Sequence, residues 1–226
     1  GAADLGTALL RAPMLGQAHE LGGRLLVEID AISEARHHLE IARSLEPARG
    51  HIIQCELARL DALEGRWDRA IPVLDVLVAD PDRAISQLGS IHRARLALWQ
   101  NDRAAMVDHA RRFSIVLPQT GSARIDFVAN VVRTGVLDAE TWQHFAVTRH
   151  GDDVPHRNQL IGMQLLCEVA MVMNEYELAS QALERADGLG LIDVVVLDKC
   201  PLFEPIAGTT RFRAIRERIR SRAACS

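Results

Sequence analysis

The prolines of this sequence recur at a nearly constant interval, which constrains the fold more than any other feature. Five of them are separated by 34, 34, 37 and 37 residues, in the order Pro13, Pro47, Pro81, Pro118 and Pro155. Proline has no amide donor and disfavours helical geometry in the residue before it, so a recurring proline marks a recurring helix end. A period of this length is typical of stacked helical hairpins.

A second series, of turn-forming residues, falls near the middle of each interval. Its members are residue types that commonly end helices, namely Asp30, Gly65, Asn101, Gly135 and Asn174. Each period is therefore predicted to hold two helices. Between the marks, apolar residues recur at spacings of three and four, as in Leu39, Ala42 and Leu45, so each helix has one face to bury. The predicted fold class is all-α, built from antiparallel helical hairpins.

Three of these hairpins resemble the tetratricopeptide repeat family. The first runs from Glu20 to Pro47, with a small residue, Gly23, where two helices approach and Ala35 where the second helix packs back. The second contains GRWDRAI at 65–71, which looks like the commonest signature of the family, and NEYELA at 174–179 is similar to it.

The resemblance covers about five hairpins over residues 16–193. It is weaker at 87–120, where the matching residues are Asn101, Met106, Ala110, Phe113 and Pro118. At 122–155 it is limited mainly to length, turn position and the spacing of Trp142 and Phe145. It implies a right-handed solenoid of antiparallel hairpins. Residues 1–15 are then expected to be the tail of a preceding repeat helix, and residues 194–226 a C-terminal cap.

Two helix starts can be predicted from their capping residues. If Asp68 caps the helix that follows it, Pro72 falls in the first turn, where a missing amide costs little. Thr209 or Thr210 is predicted to cap a final helix from residue 211 to about residue 224. A narrow apolar stripe on that helix lies among six arginines, and its members are Phe212, Ile215 and Ile219. We expect a capping helix; binding of nucleic acid or an acidic partner by the arginines is the alternative.

The run DKCPLFEPI at 198–206, followed by TRFRAIR at 210–216, looks like the C-terminal ending of repeat arrays in large bacterial signalling proteins. In such proteins the array follows a serine/threonine kinase domain, or an ATPase or DNA-binding regulator domain. The resemblance implies a regulatory module from a longer protein whose head domain lies outside this chain.

Cysteine and charge content indicate a cytoplasmic protein. The four cysteines are scattered, with no Cys-x-x-Cys pair, and are interpreted as reduced thiols. A formal net charge of −4 gives no overall basic field to attract nucleic acid or anionic lipid, and no apolar run approaches the roughly 20 residues of a membrane span. Lys199 is the only lysine among the basic residues, which suggests a high-GC bacterial genome.

A search for catalytic and cofactor motifs predicts no enzyme. There is no phosphate-binding loop, no Gly-x-Ser-x-Gly elbow and no kinase catalytic loop, and the glycines at 188 and 190 are interpreted as a helix end. No metal or cofactor is expected. A set of histidines and aspartates that could be drawn as metal ligands is better explained as a polar loop, and its members are His144, His150, Asp152, Asp153 and His156. His37 and His38 are neighbours on a helix and are expected at the surface.

Stacked hairpins of this family bind an extended peptide or a helix along a groove lined by their first helices. The inward positions predicted for that groove are, in chain order, Arg24, Arg59, Arg95, Asn130 and Glu168, with Trp99 close to the third. Arginine binds carboxylates through two donors, and tryptophan supplies apolar area. The predicted partner is a protein or an acidic peptide with one apolar side chain, and no small-molecule substrate is expected.

Alternatives stay open at both the residue and the functional level. The three arginines could instead pair with carboxylates of their own or adjacent turns, the candidates being Glu20, Glu28, Glu56 and Asp61. The predicted function is a non-catalytic protein-interaction module of a larger regulator. The alternative is a self-association or autoinhibitory element that docks on its own missing head domain, and a nucleic-acid-binding array is a weaker third.

Overall fold

The regular structure of this protein is helical. The computed structural model describes residues 2–114, 130–137, 142 and 156–225, and within these residues every regular element is a helix. This confirms the all-α prediction. The α-helices are α1 (Ala2–Arg11), α2 (Gly16–Glu28), α3 (Ile32–Leu45), α4 (Gly50–Leu63), α5 (Trp67–Val78), α6 (Arg83–Trp99), α7 (Arg103–Ser114), α8 (His156–Val172), α9 (Tyr176–Gly188), α10 (Val194–Lys199), α11 (Glu204–Ala207) and α12 (Thr210–Ala223). Residues 130–134 are also helical, and short 3-10 turns span Pro47–Arg49 and Pro201–Phe203.

The chain divides into two compact units. The first unit contains residues 1–93, 192–199 and 220–226, and the second contains residues 94–191 and 200–219. Each unit therefore collects segments that are distant in sequence.

Two successive hairpins form most of the first unit. Helix α2 packs against α3, α4 packs against both, and α5 packs against α4. The close approach predicted at Gly23 is confirmed, because a Cβ atom there would lie 2.6 Å from Leu39 Cγ and 3.1 Å from the carbonyl oxygen of Ala35. Leu39 also belongs to a buried apolar cluster with Ala42, Ile53 and Leu57.

The predicted mid-period turns are helix ends with left-handed backbone. All five residues have positive φ: Asp30 (66°), Gly65 (77°), Asn101 (57°), Gly135 (71°) and Asn174 (61°). At Gly65 the amide donates to the carbonyl of Ala62 at 3.0 Å, and the amide of Arg66 donates to the carbonyl of Asp61 at 2.8 Å. This pair of bonds closes a helix through a left-handed residue, and it recurs at Asp30, Asn101 and Asn174.

The proline series is confirmed where the structure describes it. Pro13 and Pro81 lie between α-helices, and Pro47 opens a 3-10 turn after α3. Pro118 and Pro155 lie outside the described residues.

The prediction for Pro72 was wrong. Helix α5 begins at Trp67, with Arg66 in the capping position, so Pro72 lies inside the helix and Asp68 in its first turn. The chain leaves the turn at Gly65 and enters α5 almost at once, which leaves no room for a cap as late as Asp68. Pro72 and Asp68 are both exposed, so water can replace the backbone bond that proline cannot donate.

The second unit includes a hairpin of α8 and α9 and part of the C-terminal region. Gly190 has a φ of 85° and ends α9, which confirms the helix end predicted there. The hydroxyl of Thr209 accepts a hydrogen bond from the amide of Phe212 at 3.2 Å, which confirms the predicted cap of α12. The apolar stripe of α12 is buried, and the Phe212 ring lies 5.7 Å from that of Phe203.

Candidate functional site

Arg24 and Arg59 belong to the first unit, where they lie on the facing helices α2 and α4. Arg24 is 3.0 Å from a carboxylate oxygen of Glu20, one turn earlier on α2, and 3.2 Å from one of Glu56 on α4. We call the surface formed by Glu20, Leu21, Arg24, Glu56 and Arg59 the α2–α4 face. Its charges alternate in sign, so the intramolecular pairing considered from the sequence is present at Arg24.

Arg59 is the most enclosed arginine of this face. Its side chain is only 11% exposed, and its two terminal nitrogens lie 3.5 Å from Glu56 and 3.3 Å from Asp193. Its Nε atom is buried and forms no hydrogen bond. Asp193 also caps helix α10, because its side chain accepts a hydrogen bond from the amide of Val196 at 3.2 Å. The sequence did not indicate Asp193 as a partner, since it follows Arg59 by 134 residues.

Helix α10 packs against α2 and α4 within the first unit. Its apolar residues are all buried, and they are Val194, Val195, Val196 and Leu197. At the other end of the helix, Lys199 Nζ lies 2.9 Å from Asp30 Oδ1, just after α2 ends. Opposite charges therefore hold both ends of α10.

Glu20 is shared between two arginines. Besides Arg24, it accepts hydrogen bonds from Arg49 Nη2 at 2.8 Å and Arg49 Nε at 3.2 Å. These bonds raise the pKa of Arg49 above its ordinary value. The acidic side of the α2–α4 face is thus held in place by surrounding arginines.

Asp61, considered above as a partner of the ladder arginines, is bound elsewhere. It lies 2.7 Å from both Arg36 and Arg66, and the same two arginines also contact Glu64. Burial alone would raise the pKa of Glu64, but the hydrogen bonds from Arg36 and Arg66 outweigh it and lower the pKa. This four-residue cluster joins α3 to the turn after α4.

Arg95 belongs to the second unit and forms a closed ion pair. Its Nε lies 3.1 Å from Glu168 Oε2 and its Nη2 lies 2.6 Å from Glu168 Oε1, and Glu168 is 0% exposed. The guanidinium carbon lies 5.1 Å from the centre of the Trp99 ring, a cation–π contact. Trp99 is 1% exposed, so neither Trp99 nor Glu168 lies at an open surface as the sequence interpretation expected. Both side chains are instead buried in the core, where they are inaccessible to a partner.

The remaining predicted position, Asn130, is exposed and accepts a hydrogen bond from Arg133 at 2.7 Å. The exposed apolar side chain beside a predicted arginine is Leu21, which is 51% exposed and lies one turn before Arg24. Leu21, which sequence reasoning missed, is therefore an exposed apolar side chain on this face, whereas Trp99 is buried.

Two histidines of α2 and α3 form a pair that the sequence interpretation did not foresee. The Nδ1 atoms of His19 and His38 are 2.9 Å apart, and His19 Nε2 lies 2.9 Å from the carbonyl oxygen of Pro13. A carbonyl only accepts, so Nε2 of His19 donates to Pro13. Burial, and then the charges of His19 and His37, lower the pKa of His38. His38 is half-buried, whereas its neighbour His37 is exposed as expected.

The cysteines offer no activated thiolate among the residues for which a shift is resolved. Burial raises the pKa of Cys55 to about 12 and that of Cys167 well above its usual range, so both thiols stay protonated. None of the four cysteines, all of which lie within the described residues, forms a disulfide. In the part of the chain that the structure describes, no three metal-ligating side chains gather around one point. The loop histidines and aspartates, with the side chain of His156, lie outside that part.

Three arginines of α12 pair with carboxylates inside their own units. In the second unit, Arg211 binds Glu177 and Glu184, and Arg218 lies 2.6 Å from Asp187. These bonds to Arg211 lower the pKa of both glutamates. In the first unit, Arg220 lies 2.6 Å from Asp198. The pairing favours the capping interpretation of α12 over nucleic-acid binding.

No protein-family model, curated protein or solved structure matches this chain. Across residues 2–114, 130–137, 142 and 156–225, no helix combines the length and apolar character that crossing a bilayer requires. What the chain does is therefore inferred from its own side chains.

Proposed function

We propose that this chain is a non-catalytic, cytoplasmic protein-interaction module of a larger bacterial regulatory protein. Its hairpins are proposed to stack as a tetratricopeptide-like right-handed solenoid, and its partner to be a peptide or helix bound on the α2–α4 face. The consecutive hairpins α2–α3 and α4–α5, with the same left-handed turn inside each, support this architecture.

The incomplete pairing of Arg59 carries the proposal. Its carboxylate contacts are 3.3 and 3.5 Å long, whereas charge-assisted hydrogen bonds are ordinarily about 2.7–2.9 Å, and its buried Nε has no hydrogen bond. A partner carboxylate at a terminal nitrogen of Arg59 would replace one of these long contacts with a shorter charge-assisted bond. Arg95 differs from Arg59 in this respect, because two of its nitrogens already donate to Glu168.

The chemistry of the face defines the partner. A buried guanidinium favours a carboxylate, and the exposed Leu21 favours one apolar side chain about one helical turn away. We therefore propose an acidic peptide or helix with an aliphatic anchor. The two classes of occupant that compete with this proposal are a second copy of the chain and the head domain of the same protein.

Site-specific photo-crosslinking tests the proposed surface. A photoreactive residue replaces Leu21 on the α2–α4 face in one full chain, and replaces Val76, 70% exposed on α5, in the matched control. Both are irradiated in lysate of the source cells. We expect a protein crosslinked through position 21 and not through position 76, with the yield reduced by adding Arg59→Gln.

The pattern of crosslinks separates the alternatives. A product of twice the chain mass would indicate self-association. Equal capture at both positions, or capture unchanged by Arg59→Gln, would contradict the proposed site. Arg69→Gln on the exposed side of α5 serves as a charge-matched control, and it should not alter the yield.

A further inference from the structure

Helix α10 lies on the same surface where a partner is proposed to bind. Its capping residue Asp193 contacts Arg59, and the helix packs against both α2 and α4. A six-residue helix is too short to be stable alone, since isolated helices need about 12–15 residues. Its helical form therefore depends on docking.

The chemistry of α10 matches the partner predicted from the α2–α4 face. It offers a carboxylate at its N-cap, four consecutive aliphatic residues and a lysine at its end. The carboxylate of Asp193 meets the guanidinium of Arg59, the amine of Lys199 meets the carboxylate of Asp30, and the helix between them packs against α2 and α4. The chain thus contains a segment with the features of its own proposed ligand.

The two polar anchors of α10 differ in exposure, because the side chains of Arg59 and Asp193 are only 11% and 6% exposed. The contact between Arg59 and Asp193 uses one donor at 3.3 Å, and the Lys199–Asp30 pair is substantially exposed, at 32% and 48%. Exposed pairs contribute on the order of 0–1 kcal/mol. Burial of the aliphatic residues also stabilises the docked helix, and an external helix with the same pattern would bury equivalent groups.

We infer that α10 is the resident occupant of the α2–α4 face, and that an external helix with an acidic N-cap followed by a short aliphatic turn binds there by displacing it. This rests on the proposed function and adds its ligand class and its regulation. An external helix can bind only the chains in which α10 is undocked. The apparent affinity of the face is therefore the intrinsic affinity multiplied by the undocked fraction.

Peptide titration of the full chain tests the exchange. The probe is a fluorescent peptide of residues 190–201 carrying Cys200→Ser, and binding is followed by anisotropy. Asp193→Asn in the chain weakens the resident helix but leaves the face intact, so the peptide should bind this variant at least about ten-fold more tightly than the wild type. Adding Arg59→Gln to the Asp193→Asn chain should remove this gain in affinity. A probe peptide that itself carries Asp193→Asn should also bind the Asp193→Asn chain without the gain.

Native-state hydrogen exchange gives an independent readout on the wild-type chain. We expect the amides of α10 to exchange through a local opening that leaves α4 protected. Exchange of α10 only together with α4 would show that α10 is a permanent part of the core and would overturn the inference. So would equal peptide affinity for the wild type and the Asp193→Asn chain.

A second variant guards against misfolding. If Asp193→Asn abolishes the helical circular dichroism signal, Lys199→Gln is used, because it loosens only the exposed end of α10, and at least about a three-fold gain in peptide affinity is expected. No gain would overturn the inference. A partner crosslinked at position 21 despite a negative result here would leave the proposed function standing and reject only the resident helix.

Discussion

Single residues with left-handed backbone set where the helices of this chain turn. Asp30, Asn101 and Asn174 adopt positive φ at positions equivalent to Gly65 and Gly135. Asparagine and aspartate tolerate this conformation better than other residues with a side chain. Backbone conformation is what restricts Gly65 and Gly135, because a Cβ at either would meet no atom within 4 Å.

Replacing Gly65 with alanine isolates the cost of that conformation. A Cβ at Gly65 would meet no atom within 4 Å, and the same holds for Gly50, whose φ is −53°. Gly65→Ala should lower the free energy of unfolding by about 1–2 kcal/mol. Gly50→Ala should raise it by about 0.4–1 kcal/mol, because only the unfolded chain loses freedom. Urea denaturation measures both, and equal effects of the two substitutions would contradict this account.

The His19–His38 pair predicts a pH dependence of stability. The folded-state pKa of His38 is lowered, so as pH falls the unfolded chain binds the proton first. Its contribution to stability is therefore lost as pH falls below about 6.5, and the loss levels off once the folded form is protonated too. The bond between the two Nδ1 atoms also requires one of them to be unprotonated.

Urea titrations from about pH 8 to pH 5 measure this loss. His38→Gln should flatten the pH dependence of the unfolding free energy relative to the wild type. His37→Gln is the matched control at an exposed neighbour, and it should change the slope little because burial is the largest cause of the shift at His38. An unchanged slope in His38→Gln would reject the assignment.

At the scale of helices, the start of α12 depends on one hydroxyl. Thr209 accepts the amide of Phe212, whereas Thr210 is the first residue of the helix and is exposed. Thr209→Ala should reduce the unfolding free energy by about 0.5–2 kcal/mol. Thr210→Ala should change it by less than about 0.5 kcal/mol, as for an ordinary surface substitution. A similar cost at both positions would argue against the cap.

The ion pair between α6 and α8 is expected to behave as a core contact. Arg95→Met leaves Glu168 buried without its guanidinium partner and should cost roughly 3–5 kcal/mol, measured by urea unfolding. The double substitution Arg95→Met with Glu168→Met should recover most of that loss, since buried pairs are replaceable by apolar residues of similar volume. A small cost for Arg95→Met alone would show that the pair is not a structural anchor.

The sequence predicted local features of the helices well and long-range ones poorly. The turn at Gly65 and the cap at Thr209 follow from the conformation and hydrogen bonding of a few adjacent residues. Which carboxylate meets an arginine depends on the packing of distant helices. Glu168 follows Arg95 by 73 residues, and apolar spacing identifies a buried face without identifying what covers it.

For the chain as a whole, segments that are far apart in sequence share a unit. In a simple repeat array each hairpin contacts only its neighbours. Here residues 192–199 belong with residues 1–93, and α10 packs on α2 and α4. Asp193, before the run of valines at 194–196, is a recognisable helix cap in the sequence. Nothing in the sequence shows that the side chain of Asp193 contacts Arg59.

The central claim is that the α2–α4 face binds a partner through Arg59, and affinity measured by calorimetry tests it most directly. The partner captured through position 21 is titrated into the wild-type chain, Arg59→Gln and Arg69→Gln, each checked for the wild-type circular dichroism signal. Loss of a charge-assisted contact predicts at least about ten-fold weaker binding for Arg59→Gln and no change for Arg69→Gln. Equal affinity of all three chains would contradict the account.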